Sequence, residues 1–305
     1  MLVIGSRGSQ LALWQAQYVQ RRLEARGYEC RIEIIQTTGD RIVDVPLGNI
    51  GTKGLFTKEI EDALLEGRIH LAVHSLKDLP TELPKGLTIA ATPEREHPND
   101  VMVGKPLREL GAGSCIGTSS LRRTAQLRRY RPDLIVESIR GNIDTRLRKL
   151  DEGRYDAIVL AAAGLRRLGW KDRIAEVLEP EVMCPAVGQG ALAIESRLEG
   201  PGFEACAVLD HPWTRLCTTA ERAVLASLGG GCQIPMGSFA SISGSEMQVM
   251  GVVIAPDGSS LIREQVEGDC TQPTRLGRKV GEGLIQRGAL QMIGPAISGQ
   301  RDSEV

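Results

Sequence analysis

The feature that most constrains this chain is a rhythm in its first two thirds, where short apolar runs alternate with segments of helical spacing. Leu2-Val3-Ile4 reads as a strand. Residues 10–26 then read as a helix, with Leu11, Trp14, Tyr18 and Leu23 at helical spacing and Gly27 as its stop. A strand over 32–35, a helix over 57–66 closed by Gly67, and strands over 69–74 and 87–91 follow. This alternation predicts a mostly parallel sheet flanked by helices. The polar run Pro93-Glu94-Arg95-Glu96-His97-Pro98-Asn99-Asp100 predicts a hinge. The rhythm then resumes, with strands at 115–117, 134–136 and 157–160 and helices opening near Ser120 and Asn142. Pro185-Ala186-Val187-Gly188-Gln189-Gly190 forms a second non-helical crossing. Two crossings predict a chain that leaves its first domain and later returns to it.

The last third has a different character. Thr218-Thr219-Ala220-Glu221 has the letters of a capping box and predicts a helix that opens there and runs to Leu228. Gly229-Gly230-Gly231-Cys232 follows as a mobile or tightly turned loop. Gln248 to Ile254 and Leu261 to Val266 alternate on either side of Pro256-Asp257-Gly258, a strong hairpin turn. Residues 271–288 predict a closing helix, and 298–305 a frayed tail. The whole predicts a small α+β domain with an antiparallel sheet.

At 305 residues the chain is long enough for about two ordinary domains and for a core that needs no metal or disulfide. Its 37 Lys and Arg against 38 Asp and Glu give a net charge of -1, which argues against nucleic-acid binding as its main task. Seven Cys, an odd number with no C-x-x-C pair, make neither a disulfide framework nor a zinc knuckle. A reducing, cytoplasmic setting is the simplest expectation. Met1 to Gly5 has no basic secretory n-region, and the apolar run 157–165 is too short to span a bilayer, so no membrane partner is expected.

Most familiar motifs fail in context. Gly188-x-Gly190-x-x-Ala193 has the letters of a dinucleotide fingerprint, but a Pro-containing loop precedes it and a short strand follows it. Lys53, in Gly51-Thr52-Lys53-Gly54, lacks the order of a phosphate-binding Walker loop. His70 and His74 would lie about 13 Å apart on a strand, too far to share a metal ion, so no metal is expected.

Other groups carry more. Only 8 of the 37 basic residues are Lys, an Arg skew that fits either anion recognition or a bias of base composition. Gly5-Ser6-Arg7-Gly8-Ser9, Ser119-Ser120-Leu121-Arg122-Arg123 and Arg140-Gly141-Asn142-Ile143-Asp144-Thr145-Arg146 each follow a strand and open a helix. Each brings guanidinium groups and free helix N–H groups to a strand's carboxyl end, which predicts one cleft lined for an anion with several carboxylates or phosphates. Asp78, in Ser75-Leu76-Lys77-Asp78, also lies just beyond a buried strand. There it suits proton chemistry or the steadying of a cation, or else a helix cap or a surface pair with Lys77. Cys232 sits on its Gly-rich loop, unlike the core-type Cys206 and Cys217, and is open to reaction or covalent attachment.

These stretches together resemble the porphobilinogen deaminase family. The resemblance rests on Gly5 to Gln15, Lys53-Gly54-Leu55-Phe56, Val73 to Pro80, Gly117 to Arg123, Arg140-Gly141-Asn142, Pro185 to Gly190 and Gly230 to Pro235, in this order nearly end to end. It implies an α/β fold of two lobes like those of type II periplasmic binding proteins, with mixed sheets, and a C-terminal α+β domain with a three-stranded antiparallel sheet. The implied boundaries are 1–93 with 190–210, 97–185, and 214–305. It also implies a dipyrromethane cofactor held by a thioether to Cys232, and porphobilinogen as substrate, added unit by unit with loss of ammonia.

By the same resemblance Asp78 is the catalytic carboxylate that steadies the azafulvenium cation. The cofactor is held by Lys77, Asp78, Thr118, Ser119, Ser120, Arg122, Arg123, Arg140, Gly141 and Arg146. The substrate meets Arg7, Ser9, Gln15, Lys53, Phe56, Arg140, Arg146, Arg167 and Gln189. Residues 40–57 form a lid, and Thr38 and Asn49 stand where some relatives carry basic residues. A monomer that passes its product to the next enzyme of its pathway is implied. A plain anion-binding protein of the same two-lobed fold is the alternative, and it would have no need of Cys232.

Overall fold

The computed structural model describes residues 1–41, 56–230 and 234–298. In chain order the elements begin with β1 (Leu2–Ser6), α1 (Gln10–Glu24), β2 (Cys30–Ile34), α2 (Thr38–Arg41), α3 (Lys58–Leu65), β3 (Leu71–Ser75) and β4 (Leu87–Ala91). Next come β5 (Asp100–Gly104), β6 (Cys115–Gly117), α4 (Leu121–Tyr130), β7 (Ile135–Glu137), α5 (Ile143–Asp151), β8 (Ala157–Ala161), α6 (Ala162–Arg167) and β9 (Ile174–Val177). The chain closes with β10 (Leu192–Arg197), α7 (Pro201–Cys206), α8 (Pro212–Ser227), β11 (Met236–Ser243), β12 (Glu246–Ile254), β13 (Leu261–Asp269), α9 (Pro273–Gln286) and α10 (Ala289–Ser298).

The chain divides into two compact units. One comprises Met1–Glu96 and Gly190–Arg215, the other His97–Gln189 and Leu216–Val305. The first unit is built on a five-stranded sheet of order β2-β1-β3-β10-β4. Its β1, β2 and β3 run parallel, as the alternation predicts, while β10 is antiparallel to both β3 and β4. That antiparallel strand is the segment that returns after the second crossing. The helix α1 buries Ala16, Val19 and Leu23 against this sheet. The expected stripe of Leu11, Trp14 and Tyr18 is only half buried, and the rings of Trp14 and Tyr18 stack on each other at 5.5 Å. Small and β-branched residues fit closer to the sheet, so the aromatic rings occupy the rim.

The second unit repeats the pattern. Its five-stranded sheet has the order β7-β6-β8-β5-β9, with β6, β7 and β8 parallel and β5 antiparallel to β8 and β9. The strands β5 and β9 escaped the alternation rule. One hides behind the polar crossing, and the other lies in a mixed segment next to charged residues.

The same unit carries a three-stranded antiparallel sheet of order β11-β12-β13, with the expected turn at Pro256-Asp257-Gly258. Helices α8 and α9 cover it through Val224, Val280 and Leu284. The two helices approach so closely that a Cβ on Gly277 would lie 2.1 Å from the Ala220 carbonyl oxygen. Any larger residue at 277 would push them apart.

The predicted capping box is incorrect. The helix α8 already starts at Pro212, so Thr218 and Glu221 lie inside it and are buried. Pro at the first helical position, where its missing N–H costs nothing, outranked the later letters. Glu221 serves another purpose. Its carboxylate accepts the Gly188 N–H at 2.7 Å and the Ala240 N–H at 2.9 Å, tying the second crossing to α8 and β11. We expect Glu221→Ala to lower unfolding free energy by about 3 kcal/mol, since two buried donors lose a charged acceptor. Urea denaturation checks it, and an unchanged midpoint would contradict this account.

Candidate active site

In the first unit, β3 ends at Ser75 and runs into a single 3-10 turn over Leu76–Asp78. Leu76 and Leu79 are buried, and the Leu76 N–H donates to the Ala191 carbonyl at 3.0 Å. This anchoring leaves Lys77 half-buried and Asp78 exposed at the strand's carboxyl end. No helix begins at Asp78, so it does not serve as a helix cap. Buried Gln15 donates from Nε2 to the Ser75 hydroxyl at 2.9 Å, so α1 steadies the same turn.

At the neighbouring end of β1, Ser9 caps α1 by accepting the Ala12 N–H at 3.3 Å. Arg7 pairs with Asp40, its Nε donating at 3.1 Å and its Nη2 adding a second bond. Its guanidinium carbon also lies 4.3 Å from the Phe56 ring centre. Asp40 further accepts from the Thr37 hydroxyl at 2.7 Å. Burial alone raises the Asp40 carboxyl, but the bonds from Arg7 and Thr37 outweigh it and hold the group below its ordinary value. The resemblance placed Arg7 and Phe56 near a substrate, but the sequence reading missed Asp40 as the partner of Arg7. Thr38, one of the departures, donates its N–H to Glu59 at 2.9 Å.

In the second unit, β6 and β7 end in two basic turns. Thr118 and Ser119 follow β6, and Ser120 caps α4 in extended conformation. Ser119 is held by donating its hydroxyl to the Ile139 carbonyl at 2.7 Å. Asn142 precedes α5 in the same extended conformation. Gly141 has φ of 109°, a conformation that favours glycine, and a Cβ there would also collide with Thr145.

The start of α4 inverts the usual pattern, because Leu121 is exposed at 51% while Arg122 and Arg123 are buried at 6% each. The reason is Asp100, fully buried at the start of β5. Arg122 donates from Nη1 to one Asp100 oxygen at 2.6 Å, and Arg123 donates from Nε and Nη2 to the other at 3.0 and 2.7 Å. Gln189 donates to Asp100 at 3.0 Å and to the Pro98 carbonyl at 2.6 Å. Burial alone raises the Asp100 carboxyl; the two guanidiniums beside it reverse this and hold it well below the usual carboxylate range.

One carboxylate for two guanidiniums leaves this cluster positive. Arg146 adds to it. Burial, then the charges of Arg123 and Arg140, push the Arg146 guanidinium down to about 10. A cation so disfavoured by its own neighbours gains most from an anion. Such a donor set, with the starts of α4 and α5 adding their N–H groups, fits a cofactor that carries several carboxylates. Arg167, at the end of α6, is buried.

Lys53, Asn49 and Cys232, with most of the expected lid, lie outside the described residues. Among the described residues no cluster of His, Cys, Asp or Glu is arranged to hold a metal ion. His70 accepts the Val3 N–H on its Nδ1 at 3.0 Å, and His74 turns to Glu195. Cys206 and Cys217 are buried, as core-type thiols should be. No helix among the described residues is long and apolar enough to cross a membrane.

The chain is thus an α/β protein with two sheets of similar strand order, one ending near an exposed carboxylate and the other near a concentrated set of guanidiniums. The comparisons with known proteins are more specific. The pattern of the porphobilinogen deaminase dipyromethane cofactor binding domain matches residues 2–203, and that of the porphobilinogen deaminase C-terminal domain matches residues 215–286. The porphobilinogen deaminase of Pelobacter propionicus is 49% identical over 297 residues, covering 96% of both chains. That of Methylobacillus flagellatus is 51% identical over 298 residues, again covering 96% of both. A solved periplasmic substrate-binding protein of an ABC transporter from Coxiella burnetii is similar at 12% identity and a TM-score of 0.42, over 73% of this chain and 97% of that one. The chain belongs to the porphobilinogen deaminase family.

Proposed function

We propose that this chain builds a linear tetrapyrrole. It polymerises four porphobilinogen units stepwise, with release of ammonia, onto a covalently bound dipyrromethane cofactor, and water then frees hydroxymethylbilane. Beyond family membership, the observation that carries this reading is the accumulation of Arg123, Arg140 and Arg146 behind the starts of two helices. Each pyrrole unit brings an acetate and a propionate, so the bound chain gains charge at every step and needs charge-assisted partners.

The dipyrromethane, when bound, supplies the terminal pyrrole carbon that the first substrate joins. The chain's own residues do the rest. Arg122, Arg123, Arg140 and Arg146 hold the cofactor carboxylates, supported by Thr118, Ser119, Ser120, Gly141 and Lys77. Arg7, Ser9, Gln15, Arg167 and Gln189 orient the substrate, with Lys53 and Phe56. Asp78 is the catalytic residue. Its exposed carboxylate steadies the positive charge that develops when ammonia leaves porphobilinogen, and it carries protons at the pyrrole nitrogen. Cys232 is the point of attachment.

The reading extends to organisation and setting. The second compact unit comprises two domains, 97–185 and 214–305, beside a first domain of 1–93 and 190–210. The protein works as a monomer in the cytoplasm, where its seven Cys stay reduced, and passes its product to the next enzyme of the pathway.

Intact mass spectrometry tests the attachment. The purified protein is expected to exceed its sequence mass by two pyrrole units, with the excess on the peptide that contains Cys232. Cys232→Ser should lack it. An unmodified wild type from cells that supply porphobilinogen would overturn the assignment.

A further inference from the structure

The first unit buries a polar cluster that the proposed chemistry does not use. His74 on β3 and Glu195 on β10 meet at 3.1 Å, Nε2 to Oε2, with side chains 6% and 0% exposed. Across the two strands His74 pairs with Ala193 and Glu195 with Ala72, so the contact runs diagonally across one face of the sheet. The small side chains of Ala72 and Ala193 leave the space for it. Glu61, buried on α3, faces the same pair, and burial pushes its carboxyl above the ordinary carboxylate range. On this side the neighbours are apolar. Ile60, Ala63 and Leu64 pack with Ala72, while Leu76, Leu79 and Ala191 pack with Ala193.

A buried imidazole and carboxylates in an apolar seam gain little stability. Polar groups removed from water cost more than a well-packed apolar pair of similar size. Their contact is also poorly directed, and both Glu195 oxygens lack a hydrogen bond among the described residues. What such a pair supplies is a geometric constraint, since a slip by one residue would move both side chains to the opposite face. The constraint acts where it matters. His74 precedes Ser75, which pairs with Leu192, and the next N–H, of Leu76, is held by Ala191. Asp78 ends that same turn.

We propose that His74 and Glu195 are positioning residues for Asp78, locking β3 to β10 so that the turn over 76–78 holds the carboxylate at one place. The proposal rests on the catalytic reading of Asp78. It predicts that fit, rather than stability, is lost when the pair is replaced by apolar residues.

The test uses the cofactor-loaded enzyme. In His74→Leu combined with Glu195→Leu, we expect a thermal midpoint within a few degrees of wild type, KM within about twofold, and kcat lower by about tenfold or more, because a small displacement of a reacting group is costly. Amide hydrogen exchange at Leu76, Lys77 and Asp78 should speed up by about tenfold as the strand end loosens. Glu195→Gln keeps the shape and a hydrogen-bonding group, and should retain most of kcat. If the double variant fails to fold, His74→Asn, whose side chain is too short to reach Glu195, takes its place with the same expected kcat and exchange readings and a lower thermal midpoint, since it leaves a buried carboxylate without its partner. Wild-type kcat in a folded variant that has lost the contact would overturn the proposal. If Asp78→Asn itself proves active, the catalytic reading fails instead. The exchange rates then decide whether the pair holds the strand end, and unchanged rates would overturn that too.

Discussion

Asp78→Asn is expected to leave the protein folded and to lower turnover by about a thousandfold. The carboxylate is exposed, and no hydrogen bond to it is seen among the described residues of its own unit. Its loss therefore removes neither packing nor a buried partner, and surface changes of this kind shift stability by about 0.5 kcal/mol or less. Asn has nearly the same shape but carries no charge and takes no proton at neutral pH. Both the steadying of a developing cation and the proton transfers would be lost together, effects worth about a hundredfold or more each taken singly but less than multiplicative when one group supplies both. Steady-state rates with porphobilinogen, beside a thermal melt, check the prediction. Near-normal turnover would remove Asp78 from its assigned role.

Asp100→Asn is expected to have the largest effect on stability, a loss of about 3–5 kcal/mol. The wild-type carboxylate, fully buried, is shared by Arg122, Arg123 and Gln189. Asn keeps the shape but leaves two buried guanidiniums without a counter-charge. Chemical denaturation of both proteins measures the difference, and a loss under about 1 kcal/mol would contradict it.

The sign of the pH dependence follows from the same site. Asp100 is held well below its unfolded value, which is about 3.9 for an ordinary Asp. Its contribution is therefore complete above that value and declines as pH falls through it toward the folded value. Wild-type stability should consequently show an acid-side decline that Asp100→Asn lacks. Because Arg122 and Arg123 also belong to the proposed cofactor site, the variant should hold its cofactor less firmly.

These two aspartates show how differently sequence speaks about chemistry and about support. Asp78 was legible because it follows an apolar strand directly, and ligands gather at strand ends in α/β sheets. The helix starts near Ser120 and Asn142 were legible for a similar reason, since a small polar residue between a strand and a helical pattern has few other uses. Asp100 gave no such signal. It stands in a polar crossing where acidic residues are ordinary, and its partners lie 22, 23 and 89 positions away. Glu195 and His74, 121 positions apart, were hidden in the same way.

The sequence alone determined the α/β class, the two crossings, the changed last third, and the helix starts near Gln10, Ser120 and Asn142. All of these depend on neighbours within a few positions, where side-chain spacing and backbone preference act. Only the tertiary structure decided which charges are buried and against what. It set Arg122 and Arg123 inward on Asp100 and left Leu121 in solvent, closed Arg7 on Asp40, and placed a carboxylate and an imidazole together beneath the turn that carries Asp78. Local propensity exposes every one of those polar groups. Burying them is tolerated only when distant segments supply a charged or polar partner, and that condition is met by the fold as a whole.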